Sequence, residues 1–198
     1  MMIDFNLKVI EAFRHISQED ILQEYETVKK AVKDPGEFQV LYDKYFTSIF
    51  NFIYRKIDDE EITADLTSQT FLKALRNLKR YKYKGVPFSA WLYRIASNEV
   101  NKHYRSRKRK LIFSFDESEF EQLIEKNTEK AADIDIEYII REMRSMTESD
   151  IEILELRFFE GKTFAEVAFI LNISEGNAKM RTYRAVEKLK KLIERRTR

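Results

Sequence analysis

The chain has 198 residues, with 36 lysines and arginines against 34 aspartates and glutamates, a formal net charge of +2 at pH 7. Such a balance disfavours a general polyanion binder, so the information lies in where charge clusters. There is no cysteine, which excludes a disulfide framework and a thiolate metal site.

No apolar run approaches the ~20 residues that span a bilayer. The first residues, MMIDFNLKVIEAF, carry an early acid and lack a signal-peptide pattern. The expectation is a soluble, cytoplasmic chain with no membrane insertion. Four glycines, two prolines and long stretches of 3.6-residue periodicity predict an all-α fold.

In chain order, residues 1–36 read as an N-terminal helical extension of one or two short helices. Ser17 and Asp20 are candidates to cap ILQEYETVKKAV, and Asp34-Pro35-Gly36 breaks the pattern. A first helical domain is expected over 37–110. It opens with a stripe of Phe38, Leu41, Tyr42, Tyr45, Ile49, Phe52 and Ile53, spaced to face a core. The acidic turn 58–61 leads into ITADLTSQTFLKALRNL, a basic tyrosine-bearing loop follows, and a long helix starts near Phe88 and ends near Arg107. Residues 111–133 are acidic and lack a sustained stripe, and so read as a linker. At ~3.3 Å per residue it would reach roughly 70–80 Å, far enough for two lobes to occupy separated sites. A second domain over 134–198 holds a helix through Ser145, a capped helix from Thr147, and a helix-turn-helix.

The helix-turn-helix is the strongest local signal. Thr163 and Glu166 have capping-box spacing at the start of TFAEVAFIL, and Ser174 is placed to cap the next helix. On that helix Ala178, Thr182, Ala185, Val186, Leu189 and Ile193 share one side. Asn177, Arg181, Arg184 and Lys188 share the other at i, i+4, i+7 and i+11. A recognition helix offers such a face to the major groove, where arginine forks onto guanine and asparagine onto adenine. The bland alternative is an ordinary solvated basic face.

In the first domain, Arg94, Asn98, Asn101 and Arg105 repeat the same spacing, opposite Phe88, Trp91, Leu92, Ile95 and Ala96. The preceding run of Lys79, Arg80, Tyr81, Lys82, Tyr83 and Lys84 alternates cations with aromatics. Single-stranded nucleic acid suits it, with cations tracking phosphates and tyrosines stacking on bases at ~1–3 kcal/mol each. The alternative is that Tyr81 and Tyr83 pack on the lobe. A second basic run, 102–110, begins at Lys102. On ADLTSQTFLKALRNL, Phe71, Leu75 and Leu78 read as inward, and Asp65, Gln69, Lys73 and Arg76 as outward. Leu66 reads as an exposed apolar anchor beside them, a pattern that fits docking on a partner helix or plain solvation.

Enzymatic readings find no support: no glycine-rich phosphate loop, nucleophile elbow or paired His–carboxylate motif is present. His15 and His103 are far apart, and the acids at 58–61 read as a solvated turn. No catalytic residue, metal or cofactor is expected.

Taken together, FQVLYDKYFTSIFNFIYRK, ADLTSQTFLKAL, PFSAWLYRIASNEVNKHYR and DIEILELRFFEGKTFAEVAFILNISEGNAKMRTYRAVEKLKK resemble, in this order, bacterial RNA polymerase sigma factors of the sigma-70 family, extracytoplasmic-function (ECF) group. The likeness covers residues 38–109, the family's region 2, and 136–193, its region 4. It implies that Asp65, Leu66 and Gln69, matching a D-L-x-x-Q pattern, dock with Lys73 on the clamp helices of core polymerase. It also implies that the loop and helix over 78–105 open and hold the promoter −10 element, through Lys79–Lys84, Arg94, Asn98, Asn101, Lys102 and Arg105. The last helix would read the duplex −35 element through Asn177, Lys179, Arg181, Arg184 and Lys188. An anti-sigma protein is an implied partner. Residues 1–33 lie before the family's usual start and have no assigned role. Met180, Thr182 and Tyr183 depart from the family's usual small, leucine and histidine residues, so relatives do not supply the promoter sequence. Two rivals remain from the sequence: a free-standing helix-turn-helix regulator, and an adaptor or sigma mimic that does not touch DNA.

Overall fold

A computed structural model describes residues 17–107 and 136–194 of the chain. Among these residues every regular element is helical and no strand occurs. They divide into two compact units: α1 to α4 build one, and α5, α6, the first part of α7 and α8 build the other. The expected linker, 111–133, lies outside the described residues.

In the first unit α1 runs Gln18–Lys33, α2 Phe38–Ile57, α3 Glu60–Asn77 and α4 Phe88–Arg107. Ser17 caps α1, its Oγ accepting from Asp20 N at 3.0 Å and donating to the Asp20 carboxylate at 2.7 Å. Read from sequence as an extension, α1 is instead part of this unit, packed against α2 and α4. It buries Ile21, Glu24, Val28 and Ala31. In α2 the expected stripe is buried, with Tyr42 only partly so.

The acidic run between α2 and α3 has a structural use. Asp58 takes a left-handed conformation (φ 52°) and its N–H closes α2 on Tyr54 O at 2.8 Å. Asp59 then caps α3 by accepting from Ile62 N at 3.0 Å. Glu60 and Glu61 fill the first turn of α3, where negative charge complements the helix dipole. The helix therefore starts at Glu60, two residues before ITADLTSQTFLKALRNL.

The second unit holds α5 (Ile136–Arg144), α6 (Glu148–Leu154), α7 (Phe164–Leu171) and α8 (Glu175–Glu194). Thr147 caps α6, accepting from Asp150 N at 3.3 Å. The chain leaves α6 through a wider π-type turn, Glu155–Phe159. Gly161, at φ 60°, then turns it toward α7, a conformation that costs glycine little. Ile139, Ile140, Met143, Ile151, Leu154, Val167, Ala178, Ala185 and Leu189 are among the buried apolar residues of this unit.

Candidate nucleic-acid interface

Three surfaces bear the residues singled out by sequence. On α3, Asp65 is exposed and its carboxylate accepts from Gln69 Nε2 at 2.7 Å, one turn along. Lys73 continues that stripe and forms an ion pair at 2.5 Å with Glu99 of α4. Leu66 is a correction: it is 4% exposed and cannot serve as an exposed apolar anchor.

The inward face of α3 is Thr63, Leu66, Thr67, Thr70, Phe71 and Ala74, a helical stripe that contains Leu66 and three threonines. Thr67 and Thr70 are tolerated there because their hydroxyls donate to the carbonyls of Thr63 and Leu66, at 2.7 and 2.8 Å. The large apolar side chain that α3 does expose is Leu72, at 45%. Treating threonine as a buriable residue in the periodicity would have separated the two leucines.

The second surface is the loop between α3 and α4 with the polar side of α4. Lys79, Arg80, Lys82 and Lys84 are exposed, and so are Asn98, Lys102 and Arg105, while Arg94 and Asn101 are partly buried. The exposed α4 residues at i, i+4 and i+7 form one stripe, so the cations and Asn98 are presented outward.

The two tyrosines of the loop are already engaged within the lobe. Tyr81 packs against Phe88, Trp91 and Tyr25, with ring centroids 5.2, 5.1 and 6.3 Å away. Burial first, and then the nearby Glu24 carboxylate, push its phenol above the ordinary tyrosine range. Tyr83 stacks on Tyr25 at 5.2 Å and its hydroxyl accepts from Gln18 Nε2 at 2.8 Å. Packing on the lobe, the alternative left open by the sequence, is what the structure has. Tyr25 and Gln18 of α1 were not among the expected site residues, because no local pattern ties them to a loop about sixty residues on.

The third surface is the helix-turn-helix. The capping box is reciprocal: Glu166 N donates to Thr163 Oγ1 at 3.2 Å and Thr163 N to Glu166 Oε2 at 2.8 Å. Asn172 turns the chain at φ 57°, Ile173 N closes α7 on Ala168 O at 3.0 Å, and Ser174 Oγ accepts from Asn177 N at 3.3 Å.

Ala178, Thr182, Ala185 and Leu189 are the buried side of α8. Thr182 is fully buried, its hydroxyl donating to Ala178 O at 2.9 Å, so an unusual core residue is seated without an unpaired group. Lys179 and Arg184 are exposed and Asn177 partly so. Arg181 and Lys188 lean the other way, onto α6. Arg181 Nη2 donates to Ser149 Oγ at 2.5 Å, and Lys188 Nζ lies 2.7 Å from Asp150 Oδ2. Burial opposes ionisation of Asp150, but hydrogen bonds from Lys188 and Thr147 outweigh it and hold the carboxyl below its ordinary value.

Among the described residues no cluster of His, Asp or Glu is arranged to hold a metal ion.

The two units correspond to known families. Residues 41–110 match Sigma-70 region 2, and residues 143–191 match Sigma-70 region 4. The ECF RNA polymerase sigma factor BldN of Streptomyces coelicolor is 31% identical over 183 residues, which cover 91% of this chain and 69% of BldN. SigM, an ECF sigma factor of Bacillus subtilis, is 26% identical over 158 residues, covering 78% of this chain and 94% of SigM. Among solved structures, CnrH in complex with the cytosolic domain of CnrY superposes with a TM-score of 0.60 at 20% identity, covering 86% of this chain and 97% of that one. With both sigma-70 regions present in order, and with this likeness to an ECF factor along nearly its whole length, the chain belongs to the ECF group of the sigma-70 family of RNA polymerase sigma factors.

Proposed function

We propose that this sigma factor docks on core RNA polymerase through the outward side of α3, holds the melted −10 strand with the α3–α4 loop and α4, and reads the duplex −35 element with α8. On α3 the polymerase contacts are Asp65, Gln69 and Leu72, with Lys73 acting through its ion pair to Glu99. Leu66 supports this surface from beneath. On the −10 side Lys79, Arg80, Lys82, Lys84, Lys102 and Arg105 neutralise phosphates, and Asn98 faces bases. On the −35 side Asn177, Lys179 and Arg184 stand ready in the described conformation, and Arg181 and Lys188 join them on release from Ser149 and Asp150.

The observation that carries this reading is the exposed stripe of Asn98, Lys102 and Arg105 on α4, beside a loop with four exposed cations. A loop and a helix that together present cations and a base-reading amide suit an opened strand. Nothing in the proposal requires bond chemistry by this chain, so it acts as an initiation factor and not an enzyme. It would act in the cytoplasm; among the described residues no helix is long and apolar enough to cross a membrane. RpoE of Bartonella quintana was solved with the anti-sigma factor NepR, and it superposes on this chain with a TM-score of 0.56 at 18% identity. By analogy an anti-sigma protein is included as a partner that covers these faces.

Run-off transcription with purified core polymerase on pooled genomic promoters tests the whole reading. New start sites that depend on this protein, and that are lost with Asp65→Ala, are the expected result. Duplex binding by the protein alone, without initiation, would return the case to a free-standing regulator.

A further inference from the structure

We propose that Glu24 is a positioning residue for promoter opening: its buried carboxylate fixes the start of α4, and with it the loop that precedes α4. The inference rests on the reading of α4 and its loop as the −10-binding surface. It assigns a role to a helix that lies outside both family matches, the first of which begins at residue 41.

The residue before α4 cannot cap it. The first four N–H groups of any α-helix lack partners within it, and a Ser, Thr, Asp or Asn just before the first turn ordinarily supplies an acceptor. Before α4 that position is Pro87, which has no side-chain acceptor. Ser89, in the first turn, does not substitute, since its hydroxyl is buried without a hydrogen-bond partner. The acceptor comes from 64 residues upstream: Phe88 N donates to Glu24 Oε2 at 2.7 Å. A carboxylate there also meets the positive end of the helix dipole.

The other oxygen aims it. Glu24 Oε1 accepts from Lys44 Nζ at 2.8 Å and from the Tyr45 hydroxyl, both on α2, and the side chain is 5% exposed. A charge so buried is costly unless donors surround it. Here three donors do, one on the −10 helix and two on the helix beneath. With Oε1 held on α2, Oε2 has one direction left, and α4 begins where it points.

The same helix holds the loop at its middle. Tyr25, next to Glu24, stacks on Tyr83, and Gln18 donates to the Tyr83 hydroxyl. Between Tyr83 and Phe88 the chain bends at Gly85, whose φ of 76° disfavours other residues although a Cβ there would meet nothing. The cationic loop is therefore pinned at both flanks of its bend by α1, and Glu24 supplies the buried pin.

The experiment uses the full chain with purified core polymerase on a promoter identified by run-off transcription. Glu24→Gln, Glu24→Ala, Tyr45→Phe and Asn98→Ala are compared for polymerase affinity by competition, for opening by permanganate reactivity of melted thymines, and for unfolding midpoint in urea. Glu24→Gln and Glu24→Ala should lower opening roughly tenfold, the loss of one charge-assisted hydrogen bond, with polymerase affinity within about twofold of the parent. Tyr45→Phe removes a bond to the same carboxylate but leaves Phe88 N its acceptor, so it should shift the midpoint while opening stays normal.

Opening that falls in proportion to the midpoint in Tyr45→Phe and Glu24→Gln alike would overturn the proposal, because the carboxylate would then only stabilise the lobe. Normal opening by Glu24→Gln beside a defective Asn98→Ala would overturn it while leaving the −10 reading standing. Normal opening by Asn98→Ala would remove the −10 reading of α4, and the proposal with it.

Discussion

Lys73 Nζ lies 2.5 Å from Glu99 Oε1, so the helix proposed to dock on polymerase is tied by an ion pair to the helix proposed to hold the −10 strand. The two partners differ in exposure, 41% for the lysine side chain and 8% for the glutamate. Removing the lysine leaves a nearly buried carboxylate without that partner, and this outweighs the loss of a surface charge. Lys73→Met should lower lobe stability by about 1–2 kcal/mol, discounted for the solvent reaching the lysine. Lys73→Met combined with Glu99→Met should regain most of it. A urea midpoint unchanged in the single variant would mean that Glu99 remains solvated or finds another partner.

The two leucines of α3 should separate cleanly. Leu66 is 4% exposed and Leu72 45%. Leu66→Ala should cost about 2–4 kcal/mol of stability through lost burial and a residual cavity. Leu72→Ala should cost under ~0.5 kcal/mol of stability yet weaken polymerase binding, because an exposed apolar side chain beside Asp65 and Gln69 is where an interface anchor would sit. Equal polymerase affinity for Leu72→Ala and the parent in a competition assay would remove Leu72 from the docking surface.

What the sequence made legible was what depends on near neighbours. The Thr163–Glu166 box and the Ser174 cap are three-residue spacings, and both form. The buried side of α8 follows from Ala178, Ala185 and Leu189 at helical spacing. The burial of Leu66 is hidden in the sequence because Thr63, Thr67 and Thr70 look polar there, whereas two of their hydroxyls are satisfied by carbonyls one turn back. That local bond lets threonine occupy a core face. Glu24 was illegible for the opposite reason: its partners Tyr45 and Phe88 stand 21 and 64 residues away. Nothing near a glutamate in an amphipathic helix announces that it will cap another helix. The acids at 58–61 fall between these cases, readable as a turn but not as the C-cap and N-cap that they supply.

Tyr81 gives a test at alkaline pH. Its phenol titrates above the ordinary value of 10.0, chiefly through burial and then through Glu24. In the unfolded chain it ionises near 10, so its share of stability is fully present below that pH and is lost progressively as pH rises toward the folded value. Spectrophotometric titration should therefore show the urea-unfolded parent ionising one more tyrosine near pH 10 than urea-unfolded Tyr81→Phe, while the two folded proteins ionise the same number there. Tyr81→Phe should also retain the ring contacts to Phe88 and Trp91 and keep opening the promoter. A strong opening defect in Tyr81→Phe would assign the hydroxyl a direct role in DNA binding.

On α8 the cations divide by their neighbours. Arg184 is exposed, and Arg184→Ala should relax base preference within the −35 element at a cost of ~1–3 kcal/mol. Arg181 is held by Ser149. If it reads bases after release, Ser149→Ala should tighten −35 binding slightly by freeing it, and Arg181→Ala should cost affinity unevenly across base substitutions. Uniform weakening across all sites would assign Arg181 to phosphate. Lys188 is paired with Asp150, whose carboxyl is held below the ordinary aspartate value of 3.8. For a carboxylate with a lowered folded value, the stabilisation is present above the unfolded value and is lost as pH falls through the folded one. The difference in urea midpoint between the parent and Lys188→Met should therefore persist at pH 7 and shrink as pH is taken below about 3.8. A difference that stays constant down to pH 2 would show that Lys188 stabilises the lobe by packing its methylenes and not by its charge.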